Sequence, residues 1–222
     1  MSWRLFFRNE IVRAALRIDP TFAEAHNSLG NLLLKAKDDI DGAELSFRKA
    51  LVANSDHKYA HGNLAHLLWD YRDDYETALY HYQEVLRIDP EDKFAHNNIA
   101  EIYHHLNEVS QALSHYERAL KIHPNFKYAH VGLGNLLVDN FGDIDRAEKH
   151  YRHAIKFYPD YKDAHNALAV LLFDHRRDCE GAIFHYTEAL RLDPYDEVIR
   201  QNIADVEDSD VCAMTQDTTR EL

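Results

Sequence analysis

Sixteen histidines in a chain of 222 residues are the side chains best able to do chemistry, because imidazole can ligate a metal, carry a proton or act as a base near neutral pH. His26, His61, His96, His130 and His165 stand 35, 35, 34 and 35 residues apart, and His81, His115, His150 and His185 each directly precede a tyrosine. A metal centre needs three or four ligands converging on one point. Histidines that return once per interval instead mark architecture, the ring packed flat with one nitrogen hydrogen-bonded. Two tighter groupings, His57 with His61 and His104 with His105, lack the glutamate of a zinc-protease helix. No metal site and no cofactor is expected.

Other fragments of chemical motifs are incomplete. Gly132-Leu133-Gly134 lacks the third glycine and the preceding strand of a dinucleotide loop. Asp39-Ile40-Asp41-Gly42 imitates a calcium loop, but Lys37 takes its first ligand place and Arg48 that of the closing carboxylate, so the segment reads as a helix-capping turn. Ser114-His115 has no acid placed by a recognisable elbow or loop. The carboxylates are spread at solvent-facing intervals, where any chosen acid and base would be arbitrary. The chain is read as a non-enzyme.

A repeat positions these histidines. Its first copy carries His26, Leu29, Gly30, Leu33, Ala43, Phe47 and Ala50, and its second His61, Leu64, Ala65, Leu68, Ala78, Tyr82, Val85 and Pro90. The same order follows from His96 to Pro124, from His130 to Pro159 and from His165 to Pro194. Leu29 and Leu33, or Ala43 and Phe47, are four apart and share one helical face. Each unit is therefore a helical hairpin with an apolar stripe that only a stacked neighbour can cover. Small residues at Gly30, Ala65, Ala100, Gly134 and Ala169 allow close helix approach, and the prolines end second helices.

This pattern resembles the tetratricopeptide repeat family over roughly residues 21–208, with His where the family usually has Trp and one extra residue in four of the five units. In those four the histidine-to-alanine distance is 17 rather than 16, which places the insertion at the turn between helices. The resemblance implies an all-α, right-handed α-solenoid of tandem helix-turn-helix units. Residues 1–20 form a partial repeat, second helix only. Five repeats follow at 21–55, 56–90, 91–124, 125–159 and 160–194, then a capping helix at 195–207 and a disordered polar tail at 208–222. Trp3, Phe6, Phe7 and Val12 on the partial repeat would lack a covering hairpin. Either the solenoid continues upstream or that face meets another protein or another copy.

The chain is 45% hydrophobic and 28% charged, with a formal charge of −13 that argues against general nucleic-acid binding and favours a basic protein partner. No apolar run approaches a membrane span. With only Cys179 and Cys212, no disulfide framework is expected, so a reducing, cytoplasmic setting is favoured.

The resemblance places binding on the concave face, lined by the first helix of each hairpin. Helical phase counted from the leading histidines puts Asn27, Asn31, His66, Trp69, Asp70, Asn97, Glu101, Asn135, Asp139, Asn166 and Asp174 there. Two residues before each histidine, Tyr59, Phe94 and Tyr128 join them. Aromatic rings supply most of the energy at protein interfaces, and Asn can both donate to and accept from an extended backbone. A peptide segment with apolar anchors and Lys or Arg would suit this face.

The family's clamp for acidic chaperone tails is matched only in part. Asn31 and Asn63 fall at its asparagines, but Asn27 stands at its first lysine, and Phe94 and Asn98 replace its basic residues. Such tails are disfavoured. The leading reading is a protein-interaction scaffold or adaptor. Its alternatives are the substrate-recruiting region of a larger enzyme, as in some glycosyltransferases, and self-assembly as a homo-oligomer through the first helix.

Overall fold

A computed structural model describes residues 3–37, 39–209 and 212, with side chains described for 10–35, 39–209 and 212. Twelve α-helices and no strand occur among the described residues: α1 (Trp3–Ile18), α2 (Ala23–Lys37), α3 (Ile40–Ala53), α4 (Lys58–Arg72), α5 (Tyr75–Ile88), α6 (Lys93–His105), α7 (Val109–Ile122), α8 (Lys127–Leu136), α9 (Ile144–Phe157), α10 (Lys162–Leu171), α11 (Cys179–Leu192) and α12 (Glu197–Glu207). None is long and apolar enough to cross a membrane. The chain divides into two compact units, Met1–Ile102 and Tyr103–Leu222. In the first, α1 packs on α2, α2 on α3, α3 on α4 and α4 on α5; in the second, each helix from α7 to α12 packs on the next.

Helix ends follow the residues that can satisfy open backbone groups. Asp39, Asp74, Asp143 and Asp178 accept from backbone N–H groups in the first turns of α3, α5, α9 and α11, which confirms Asp39–Gly42 as a capping turn. Helices α1, α5, α7, α9 and α11 each stop two residues before a proline, because a residue preceding Pro is driven out of helical geometry. The extra residue of the 35-residue units is absorbed in a widened turn closing the first helix. There the N–H of Asp39, Asp74, Asp143 or Asp178 reaches the carbonyl of Leu33, Leu68, Leu137 or Leu172, six residues back, whereas in the shorter unit Glu108 reaches Tyr103 over five. Two of these turns are full π-helical segments, Leu137–Phe141 and Leu172–Arg176.

The core is an alternation of small residues and rings. Ala43, Ala78, Ala112, Ala147 and Ala182 are fully buried, and Phe47, Tyr82, Tyr116, Tyr151 and Tyr186 are at most 3% exposed. A Cβ added at Gly30 would collide with the Phe47 ring, and one at Gly134 with the Tyr151 ring. Glycine at these places lets first and second helices meet ring against backbone.

Each leading histidine fastens its helix to the loop before it. Nε2 of His26, His61, His96, His130 and His165 lies 2.8–3.3 Å from the carbonyl oxygen of Pro20, Ser55, Pro90, Pro124 and Pro159, six residues back. A carbonyl only accepts, so Nε2 carries the proton and Nδ1 keeps a lone pair. In three units that lone pair meets Nδ1 of the second-helix histidine: His61 with His81 at 2.8 Å, His130 with His150 at 2.9 Å and His165 with His185 at 3.0 Å. The second histidine then donates from Nδ1. Burial, then the charge of the facing histidine, pushes His81, His150 and His185 down to about 4. Arg48, Arg146 and Arg152 respectively act in the same direction. His153 adds to it at His150, while Glu84 and Asp74, and Asp178 and Glu188, oppose it at His81 and His185.

Two expectations are changed. Cys179, the first residue of α11, is disulfide-bonded to Cys212, and both are buried. The expectation of two unconnected thiols is thus overturned, and with it the argument for a reducing compartment. The physical reason is that α12 covers α11 and brings the chain beyond it back to the start of that helix, a return no count of cysteines can reveal. The polar tail lies outside the described residues except for Asp208, Ser209 and Cys212, and so do the side chains of Trp3, Phe6 and Phe7.

Replacing Tyr116 or Tyr151 by Ala is expected to cost about 3–5 kcal/mol in chemical denaturation, and Gly134→Ala about 1–3 kcal/mol, because the Tyr151 ring must move. Arg177 holds a positive φ of 56° at a helix end, so Arg177→Gly is expected to gain about 0.5–1 kcal/mol.

The histidine pairs set a pH dependence. An unfolded histidine binds its proton near 6.5 and these folded ones near 4. Their stabilisation is complete above the unfolded value and is lost as pH falls through the folded one. The melting temperature should drop between roughly pH 6.5 and pH 4, and the triple variant His81→Gln, His150→Gln, His185→Gln should drop less. An equal drop in both proteins would contradict the pairing.

Candidate functional site

Within the first unit, α4, α5 and α6 enclose a cavity of about 240 Å³. Helix α4 supplies Lys58, Tyr59, Asn63 and His66, α5 supplies Tyr82 and Val85, and α6 supplies Phe94 and Asn98. A second cavity of about 320 Å³ shares Asn63 and His66 and adds Asn31, Leu34 and Lys35 from α2 and Tyr71 from α4. The two run together along the faces of the first helices. Tyr59 is 68% and Phe94 53% exposed, so both rings reach the surface that an incoming chain would meet. They stand there because each lies in the opening turn of its helix, where the buried histidine two residues on fixes the helical phase.

The polar groups of this cavity are held by one another. Asn63 Nδ2 donates to Asn27 Oδ1 at 2.9 Å, and Asn98 Nδ2 donates to the Tyr82 hydroxyl at 2.9 Å. Burial pushes the Tyr82 hydroxyl up, so it stays protonated, and burial likewise raises Glu101, against the opposing effects of Asn97 and His66. Asn97, 3% exposed, donates from Nδ2 to Glu101 Oε1 at 2.8 Å.

The second unit has a cavity of about 300 Å³ lined by Val131, Asn135, Val138, Asp139, Asp163, Asn166, Val170 and His175 among others. The Tyr151 hydroxyl donates to Asn135 Oδ1 at 2.7 Å, and burial followed by Asp139 raises that hydroxyl. Among the described residues no group of three or more His, Cys, Asp or Glu is placed to hold a metal ion.

Of the positions expected from sequence, Asn31, Tyr59, His66 and Phe94 line the first unit's cavities, and Asn135, Asp139 and Asn166 that of the second. Asn27 supports Asn63. Trp69 is half-buried, its ring 6.5 Å from that of His66, and Asp70 is exposed. Asn97 turns inward, and Glu101 is half-buried beside it. Tyr128 packs edge-on against Tyr161 at 5.5 Å, and Asp174 is exposed outside the cavity lining. The phase count passed over Lys58, Asn63, Tyr82 and Asn98. A signal for two of them was present: an asparagine stands two residues after the leading histidine in consecutive units.

Comparison with known proteins agrees with this architecture. Tetratricopeptide repeat profiles match residues 94–126 and, separately, 34–93 and 131–197. No curated protein matches the sequence. Among solved structures, TTC0263, a thermophilic TPR protein of Thermus thermophilus, superposes with a TM-score of 0.71 at 23% identity, covering 83% of this chain and 98% of that one. The APC/C heterotetramer Cut9–Hcn1 gives 0.80 at 15% identity, over 91% of this chain and 39% of that one. YrrB, a TPR protein described as having an unusual peptide-binding site, gives 0.57 at 19% identity, over 86% and 96%. At these identities the structural likeness carries the fold. The profile matches span more than half of the chain, and the protein belongs to the tetratricopeptide repeat family.

Proposed function

We propose that the protein is a non-catalytic interaction scaffold or adaptor that takes an extended segment of a protein partner along the first helices of its hairpins. The observation that carries this reading is the first unit's cavity, which the exposed Tyr59 and Phe94 rings line together with the side-chain amides of Asn63 and Asn98. Rings at a concave surface supply anchoring energy, and amides satisfy a peptide backbone that leaves water. Asn27, Asn31, His66, Trp69 and Asp70 extend the surface within that unit. Asn135, Asp139, Asn166 and Asp174 form a corresponding surface in the second. A formal charge of −13 favours a partner segment with basic residues beside its apolar anchors. The disulfide removes the sequence argument for the cytoplasm, and the scaffold reading does not depend on compartment.

Self-association is supported by a different feature. Ile11 and Ile18 on α1 are 65% and 87% exposed, and apolar side chains so placed commonly mark contact surfaces.

Affinity capture from native extract, comparing the wild type with a Tyr59→Ala, Phe94→Ala variant of unchanged helicity, tests the scaffold reading. Each ring is expected to carry about 2 kcal/mol or more of partner affinity, so groove-bound partners should vanish from the variant; a full set retained would move binding elsewhere. Light scattering at tens of micromolar tests self-association: a wild type larger than Ile11→Asp, Ile18→Asp supports it, and a monomeric wild type rules it out.

A further inference from the structure

The capping helix is held lightly by its own packing. Helix α12 packs on α11, and of its 11 residues Ile199 and Val206 are buried, while Val198 is 69% exposed. A hydrogen bond between Asn202 and the Tyr186 hydroxyl adds a polar tie to α11. Beyond the helix, the backbone N–H of Ser209 reaches the Val206 carbonyl and that of Cys212 reaches Ser209, local bonds that travel with the segment. The Cys179–Cys212 disulfide reaches much further back, across 33 residues of sequence, and joins this segment to the first residue of α11. The loop it closes contains the rest of α11 and the whole of α12. Such a cross-link restricts the opened states of the chain it encloses, and the restriction grows with loop length.

We propose that the Cys179–Cys212 bond is a redox-sensitive latch on the capping helix: intact, it holds α12 on α11; cleaved by a dithiol, it lets α12 lift away and return Ile199 and Val206 to water. One thiolate of the dithiol attacks Cys212 Sγ, the S–S bond breaks, and Cys179 leaves as a thiolate that takes a proton from water. The second sulfur of the dithiol, deprotonated in turn, displaces Cys212, which leaves as a thiolate and is protonated. Two electrons have passed to the protein, which gains two thiols, and the dithiol has become a disulfide. Cys212 is the sulfur attacked because it lies on the segment that can swing, whereas Cys179 is fixed in the first turn of α11. The positive end of that helix favours the departing thiolate, against the opposing charges of Asp178 and Glu180 on either side. Cys179 and Cys212 are 7% and 5% exposed, so the attacking thiol enters when the segment after α12 opens. Local opening of a lightly held segment takes less free energy than unfolding of the whole unit.

The test uses the full chain purified without reductant. Iodoacetamide added in denaturant is expected to label neither cysteine before treatment, and both after the folded protein has been treated with dithiothreitol, itself a dithiol. Hydrogen exchange of the α12 amides is expected to quicken about thirtyfold or more on reduction, with α8 and α9 unchanged. Cys212→Ser is expected to exchange at α12 as the reduced wild type does, with or without dithiothreitol. Cysteines labelled before reduction would show that the bond does not form, and a bond that survives dithiothreitol in the folded protein would make it a fixed staple. Equal α12 exchange before and after reduction, or a rise spread over the whole second unit, would show that the bond does not latch this helix. Each of these four results overturns the proposal.

Discussion

The hydrogen bond from each leading histidine back to the loop carbonyl six residues earlier is the constraint on which the other features depend. Nε2 can only donate there, which fixes the tautomer and the ring plane of a side chain that is 5–9% exposed in the four later units. With the ring fixed, the phase of every first helix is fixed. The residues two before and one or two after the histidine then have no choice of direction. Tyr59, Gly62 and Asn63 line a cavity because His61 does not. A tryptophan at this place would fill volume and offer one N–H; histidine adds a second nitrogen, and the fold uses it to bind His81, His150 and His185. The first repeat, led by His26, breaks the pattern instructively. Ser46 occupies the corresponding second-helix place and donates to Gly42, and His26 Nδ1 is left buried without a partner.

A second constraint is length. A 35-residue unit must hide one residue without turning the second helix off the core. It does so by widening the last turn of the first helix, where Asp73, Gly142 and Arg177 adopt positive φ, as Asn107 does in the short unit. The residue after the turn is aspartate in all four long units, and its carboxylate caps the next helix. The widened turn and the cap are one device, since the aspartate backbone N–H closes the first helix while its side chain opens the second. In the short unit Glu108 takes that place and makes no cap bond.

Much of this was legible in the sequence because periodicity reports packing directly. The buried alanines and rings, the proline stops, the capping turn at Asp39 and the architectural role of the leading histidines all recur at fixed intervals, and recurrence is itself the evidence. What recurrence cannot carry is a contact that occurs once. The Cys179–Cys212 bond depends on where the chain travels after α12. The facing of Asn63 and Asn98, rather than Asn97, into the cavity depends on a rotation of one residue about the helix axis, finer than a count of fours and threes resolves. The histidine pairs escaped for another reason: each partner was recognised as periodic, but a sequence does not say which nitrogens meet.

Function in such a chain must come from the places where units differ, because identical units present identical surfaces. The opening lysine of the first helix illustrates this. Lys58 is bound by Asp89 and Asp92, and Lys162 by Asp193 and Asp196, thirty-one and thirty-four residues on. At the same two offsets from Lys127 stand Tyr158 and Tyr161, and its ammonium lies 5.6 Å and 4.2 Å from their ring centres. Tyr128 adds a third ring at 5.0 Å. The scaffold tolerates the exchange because a ring face can hold a cation in place of a carboxylate, but the surface changes from charged to aromatic. The same logic applies in the first unit. Its histidine, alanine and ring positions obey the repeat, while Tyr59 and Phe94 are 68% and 53% exposed, so their chemistry can change without disturbing the core.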